Sequence, residues 1–97
     1  MPKAYWIGAY DAINDPEKVK AYVEAAGPVL IEHGGKILAR GGRSATFEGV
    51  EKVRIVVVEF PDLETAETCY ASDGYRAAHA LLGDGGVREL FAVEGAE

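Results

Sequence analysis

Cysteine is all but missing from this sequence. Cys69 stands alone among 97 residues, which excludes an internal disulfide framework and leaves too few thiols for a zinc cluster. Histidine is nearly as scarce. His33 and His79 are the whole complement, and neither sits in an H-E-x-x-H or similar His/Asp/Glu spacing, so no metal site is expected. No apolar run approaches membrane-spanning length, and no membrane association is expected. The opening Met1-Pro2-Lys3-Ala4-Tyr5-Trp6 lacks the charged region, long apolar stretch and cleavage site of a secretory signal, which with the lone thiol makes the cytoplasm the expected compartment. Positive charge is also in short supply. Ten Lys and Arg stand against 16 Asp and Glu, a formal net charge of -6, and the cations are scattered; nucleic acid is excluded as an expected partner. Neither Gly34-Gly35 nor Gly41-Gly42 extends to G-x-G-x-x-G or a P-loop, so tight turns and a bulge account for them and no cofactor is expected.

What is present is one domain's worth of chain. Residues 1–97 suit a single domain with one core, and the apolar and charged fractions are those of an ordinary folded protein. Residues 3–10, rich in aromatic and β-branched side chains, read as a strand. Asp15-Pro16-Glu17 then offers an N-cap acceptor, a proline harmless at the first helical position and a carboxylate favoured by the helix dipole. Val19, Tyr22, Val23 and Ala26 give that helix a buried stripe, and Gly27-Pro28 predicts a kink or interruption before His33-Gly34-Gly35 closes it. Residues 36–40 read as a second strand, and residues 43–48 as an irregular strand or arm. Residues 53–60 carry the clearest strand signal, ended by Pro61. Asp62 caps a second helix and Ser72 starts a further short one, before a last strand over residues 87–94. The order is βαββαβ with the second helix broken in two: an α+β, ferredoxin-like fold, with a four-stranded antiparallel sheet and its helices on one face.

That fold leaves one face of the sheet uncovered, yet neither face reads as designed for water. On residues 53–60, the set Val53, Ile55, Val57 and the set Val56, Val58, Phe60 are both apolar, and Trp6 and Tyr10 alternate with Tyr5 and Ile7 on the first strand. A second copy of the chain is the simplest cover, so a homodimer is expected.

His33-Gly34-Gly35-Lys36-Ile37-Leu38-Ala39-Arg40-Gly41-Gly42, then Val58-Glu59-Phe60-Pro61, Tyr70-Ala71-Ser72 with Tyr75, and Val93-Glu94-Gly95 follow one another in an order that resembles the domain of unknown function 1330 family over almost the whole chain. The resemblance implies a dimeric α+β barrel, in which two ferredoxin-like sheets pack face to face. It carries no settled reaction. Members often have an arginine near the end of the last helix; this chain has Leu81-Leu82-Gly83-Asp84, so the role of that cation is not carried over.

The resemblance implies one function, a cofactor-independent enzyme acting on a small organic acid or an aromatic or polyketide-like molecule; the alternative is a non-catalytic small-molecule-binding or stress-associated module. For the enzyme, His33 or His79 would move protons, Arg40 would hold a developing anion, and Tyr5 or Tyr75 would line the wall. The plainer expectations stand beside these. His33 caps a helix end, His79 is a boundary residue, Arg40 pairs with Glu59 across adjacent strands when the two do not face a ligand, and Tyr75 belongs to the core. Cys69, on an apolar stripe, reads as a small hydrophobe. Convergence of His, Arg and Glu side chains in one pocket separates the enzyme from the binding module.

Overall fold

Every helix begins at one short polar side chain. The computed structural model, which describes residues 2–96, shows the Asp15 carboxylate accepting from the Glu17 and Lys18 amides, Asp62 from Thr65, and the Ser72 hydroxyl from Tyr75. These caps punctuate the order β1 (Ala4–Ile13), α1 (Pro16–Glu32), β2 (Lys36–Arg40), β3 (Arg54–Phe60), α2 (Leu63–Ala71), α3 (Asp73–Leu82) and β4 (Gly86–Glu94). The strands form one open antiparallel sheet in the order β2-β3-β1-β4, and the fold is ferredoxin-like, with the second helix in two pieces as the sequence predicts.

Alternation sorts the strands into two faces. Trp6, Tyr10, Val58 and Phe60 point toward the helices and pack with Tyr22, Leu30, Cys69, Tyr75 and Leu82 in a single core. The other face carries Ile7, Ile55 and Val57, with Phe91 and Val93 about half exposed. No buried charged residue interrupts the core among the described residues.

Two bulges set the positions that matter below. In β2 the register shifts between Ile37, opposite Val58, and Ala39, opposite Val57, which leaves Arg40 opposite Val56 on the helix-facing side. In β1 it shifts between Tyr10 and Ala12, and the extra residue, Asp11, receives Lys52 at 2.6 Å.

The structure decides between the alternatives of two local expectations. Gly27-Pro28 does not interrupt α1, which runs through it as one helix. Pro28 and Glu24, whose carbonyl loses its helical donor, are both exposed, so water can meet that carbonyl and the helix continues. Of the irregular strand or arm expected over residues 43–48, the structure shows the arm: the chain between β2 and β3 is irregular and presents Phe47 to solvent. Gly34 closes α1 with φ +86°, the left-handed conformation expected after His33.

Candidate functional site

Strand β3 places Arg54, Val56, Val58 and Phe60 on one face, and β4 places Arg88, Leu90 and Ala92 likewise. In both strands an apolar helix-facing series ends in an arginine. The bulge in β2 brings Arg40 to the same face. All three arginines line one narrow cleft between the sheet and α1, with a cavity volume of about 40 Å³, shared with Trp6, Gly8, Tyr10, Tyr22 and Val56. No carboxylate lines it among the described residues.

The guanidinium groups are held differently. Arg88 donates from Nη1 to the Tyr22 hydroxyl at 3.2 Å and from Nη2 to the Tyr75 hydroxyl at 3.1 Å, with the Tyr10 hydroxyl at 3.5 Å. Tyr22 and Tyr75 share a hydrogen bond of 2.7 Å, and Arg88 also lies 4.7 Å over the Tyr22 ring. Burial works against the charge of Arg88, but the phenol oxygens around it outweigh that and hold its pKa above the ordinary arginine value. Burial pushes the Tyr75 phenol well above its ordinary value, and the Tyr10 phenol upward too. Tyr10 and Tyr75 therefore stay neutral beside a permanent cation. Arg54 packs against Gly41, where a Cβ would collide with the guanidinium. Its Nε is buried and without a hydrogen-bond partner among the described residues. Arg40 lies exposed at the mouth.

Such an arrangement suits an anion. A carboxylate or enolate oxygen entering the cleft would meet planar N–H donors that no acidic side chain already occupies.

The residues singled out in the sequence are dispersed. Arg40 reaches the cleft, and Tyr75 lies behind it, bonded to Arg88. His33 does not: its Nδ1 is 2.9 Å from the Val29 carbonyl at the end of α1. His79 is on the exposed side of α3, stacked against Tyr75 with ring centroids 6.1 Å apart. Tyr5 and Glu59 face each other on the opposite side of the sheet, where the Tyr5 hydroxyl donates to Glu59 at 3.1 Å. The expected Arg40 and Glu59 pair is not formed. Arg40 sits opposite Val56 and Glu59 opposite Lys36, on different faces, and Lys3 is the cation nearest Glu59 at 3.4 Å. Burial pushes the Cys69 thiol up to about 11, keeping it protonated as a small core residue. Arg54 and Arg88 are the site residues that sequence reasoning passed over, and Tyr10 and Tyr22 read there as core by default; the available signal was an arginine in phase with an apolar alternation. Among the described residues, no group of three or more His, Cys, Asp or Glu side chains is placed to hold a metal, and no helix is long and apolar enough to cross a membrane.

A second groove, along β4 and α2, is lined by Trp6, Ala66, Tyr70, Leu90 and Phe91 and offers no cation.

Comparison with solved structures places the architecture. A protein of unknown function from Rhodopseudomonas palustris is similar at 17% identity with a TM-score of 0.75, the match covering 99% of this chain and 84% of that one. A cofactor-independent oxygenase from Streptomyces nogalater is similar at 7% identity and TM-score 0.71, over 100% and 96% of the two chains. A dimeric protein of unknown function with a ferredoxin-like fold, from Bacteroides fragilis, is similar at 16% identity and TM-score 0.63, over 96% of each. Identities this low speak to the fold alone. No curated protein matches the chain. The sequence itself answers more directly: the model of the domain of unknown function 1330 family matches residues 3–96, and the chain belongs to that family.

Proposed function

We propose that this protein is a cytoplasmic, single-domain homodimer that binds a small organic acid in the cleft between its sheet and α1. One observation carries the reading: three arginines, Arg40, Arg54 and Arg88, line a single cleft in which, among the described residues, no carboxylate stands to neutralise them. In a chain of net charge -6, a local cluster of that sign selects for an anion. The buried, unpartnered Nε of Arg54 is the donor such a ligand would satisfy. The dimer is supported by the uncovered sheet face, where Phe91 and Val93 are 51% and 56% exposed. Two copies packed on that face would cover it while leaving the cleft on the far side of each sheet open.

A second reading, cofactor-independent catalysis on an aromatic or polyketide-like acid, is favoured by the phenol-braced Arg88, which is preorganised to receive charge developing on an enolate oxygen. The fold shared with a cofactor-independent oxygenase is compatible with it. Binding ranks first because His33, His79 and Glu59 lie outside the cleft, so no side chain with an ordinary pKa near neutrality stands ready to move a proton there.

Light scattering combined with thermal unfolding against a panel of carboxylic acids tests both parts. A mass of twice 10.4 kDa is expected, and at a hundredfold excess over Kd the binding acid should raise Tm by about 10 °C. Arg54→Gln should abolish that rise. A monomer overturns the dimer, and acids that stabilise the Arg54→Gln variant as much as the parent overturn the site. Consumption of the bound acid by the parent protein, lost in Tyr75→Phe, would put the enzyme first.

A further inference from the structure

The arginine cleft is too small to enclose more than the head of an acid. Its volume is about 40 Å³. One water-sized group needs ~10–15 Å³, so about three such groups fit, which matches the carbon and the oxygens of a carboxylate. An acid whose head meets Arg54 and Arg88 must therefore carry the rest of its skeleton outside the cleft.

An open groove continues the cleft along α1. Val23, Gly27 and Arg40 line both spaces, and Glu24, Pro28, Ile31 and Glu32 complete the outer one. By contrast, the groove along β4 and α2 shares only Trp6 with the cleft. That indole is 4% exposed and packed between Phe60 and Tyr75, so it stands as a wall between them. The outer groove is apolar along its length: Val23 is half-buried, Pro28 is exposed and Ile31 is 61% exposed. From Val23 to Ile31 the helix rises about 12 Å, enough to lay a short hydrocarbon chain along it.

Charge is divided between the two spaces. Arg54 and Arg88 stand in the cleft and Arg40 at the junction, whereas the outer groove carries the exposed carboxylates Glu24 and Glu32. An acid with one negative end and an apolar tail matches both. A second carboxylate on the tail would meet Glu24 and Glu32, and a quaternary carbon beside the head would crowd the narrow mouth.

We propose that the ligand is an unbranched aliphatic monocarboxylate, its head in the cleft on Arg54 and Arg88 and its chain on the outer groove across Val23 and Ile31. This rests on the organic-acid reading above and adds to it the form of the acid.

NMR follows head and tail separately, through the Arg54 Nε–H signal and the Ile31 δ1-methyl signal, with acetate, octanoate, pivalate and octanedioate as probes. Acetate and octanoate should both move Arg54 saturably, and octanoate alone should move Ile31. A methylene taken fully out of water is worth about fourfold in affinity and one on an open groove about twofold, so octanoate should bind about fiftyfold tighter than acetate. Pivalate should leave Arg54 unmoved, and octanedioate should bind about tenfold weaker than octanoate. Ile31→Ser, at an exposed position, should leave folding and acetate binding unchanged and weaken octanoate about fivefold. The proposal is overturned if octanoate binds no tighter than acetate, if it leaves the Ile31 methyl unmoved, if Ile31→Ser binds it as tightly as the parent, or if pivalate or octanedioate matches it. Acetate that still moves Arg54 in these cases leaves the organic-acid reading standing. A parent in which no probe moves Arg54 overturns both.

Discussion

The helix-facing side of the sheet has two halves built from the same strands to opposite ends. Toward Ala4 and Phe60 it is closed by packed side chains, with the second groove opening only at its β4 edge. Phe60 and Trp6 lie 5.6 Å apart by ring centroids, Trp6 meets Tyr75 edge-on at 5.2 Å, and Cys69 and Tyr75 are 0% and 1% exposed. Toward Tyr10, Arg54 and Arg88 the same alternation continues, but the residues change to glycine, tyrosine and arginine, and α1 covers a slot instead of a packed layer. The sheet does not change geometry between the halves. Side-chain choice along three strands divides a stabilising region from a receiving one, and Tyr75 joins them, with its ring in the closed half and its hydroxyl on Arg88.

Removing that joint should have the largest effect. Tyr75→Ala deletes a fully buried ring and two hydroxyl contacts, and we expect a loss of about 3–5 kcal/mol in urea unfolding. A loss below about 1 kcal/mol would mean the two halves are not joined there. Alkaline pH should act next, on the same residue. The folded-state pKa of Tyr75 is raised by burial above its ordinary 10.0, so its contribution is whole below pH 10 and drains away as pH climbs from there toward the folded value. Stability measured between pH 9 and 11.5 should therefore fall more steeply in the parent than in Tyr75→Phe. Arg40→Gln should have the smallest effect on folding, within about 0.5 kcal/mol, because the residue is exposed at the cleft mouth and no ion pair engages it among the described residues. A larger loss would show that Arg40 belongs to the architecture and not to the receiving half.

The fold was legible because its determinants are local. Asp15, Asp62 and Ser72 each start a helix within three residues of themselves, and the apolar alternation of β3 needs no knowledge of its neighbours. The site was legible only in part because it is assembled across strands. Arg40 stood out in the sequence, but its expected partner Glu59 lies on the other face, a consequence of pairing register that β2 alone does not display. Arg54 and Arg88 drew no attention in the sequence, because only pairing with β1 brings them to one cleft. The two histidines drew attention through their chemistry, yet one is spent on a helix carbonyl and the other lies on an exposed surface.

The bulge in β2 acts as a switch of address. With an uninterrupted ladder from Ile37 opposite Val58, Arg40 would fall opposite Ile55 and emerge on the uncovered face, among the residues assigned to the dimer contact. One inserted residue sends it to the cleft side instead. The same one-residue change, gained or lost between Ile37 and Ala39 in a relative, would trade a cation in the cleft for one on the uncovered face without altering any other strand, so length variation in this five-residue strand bears on the proposed site in a way that substitution patterns alone would miss.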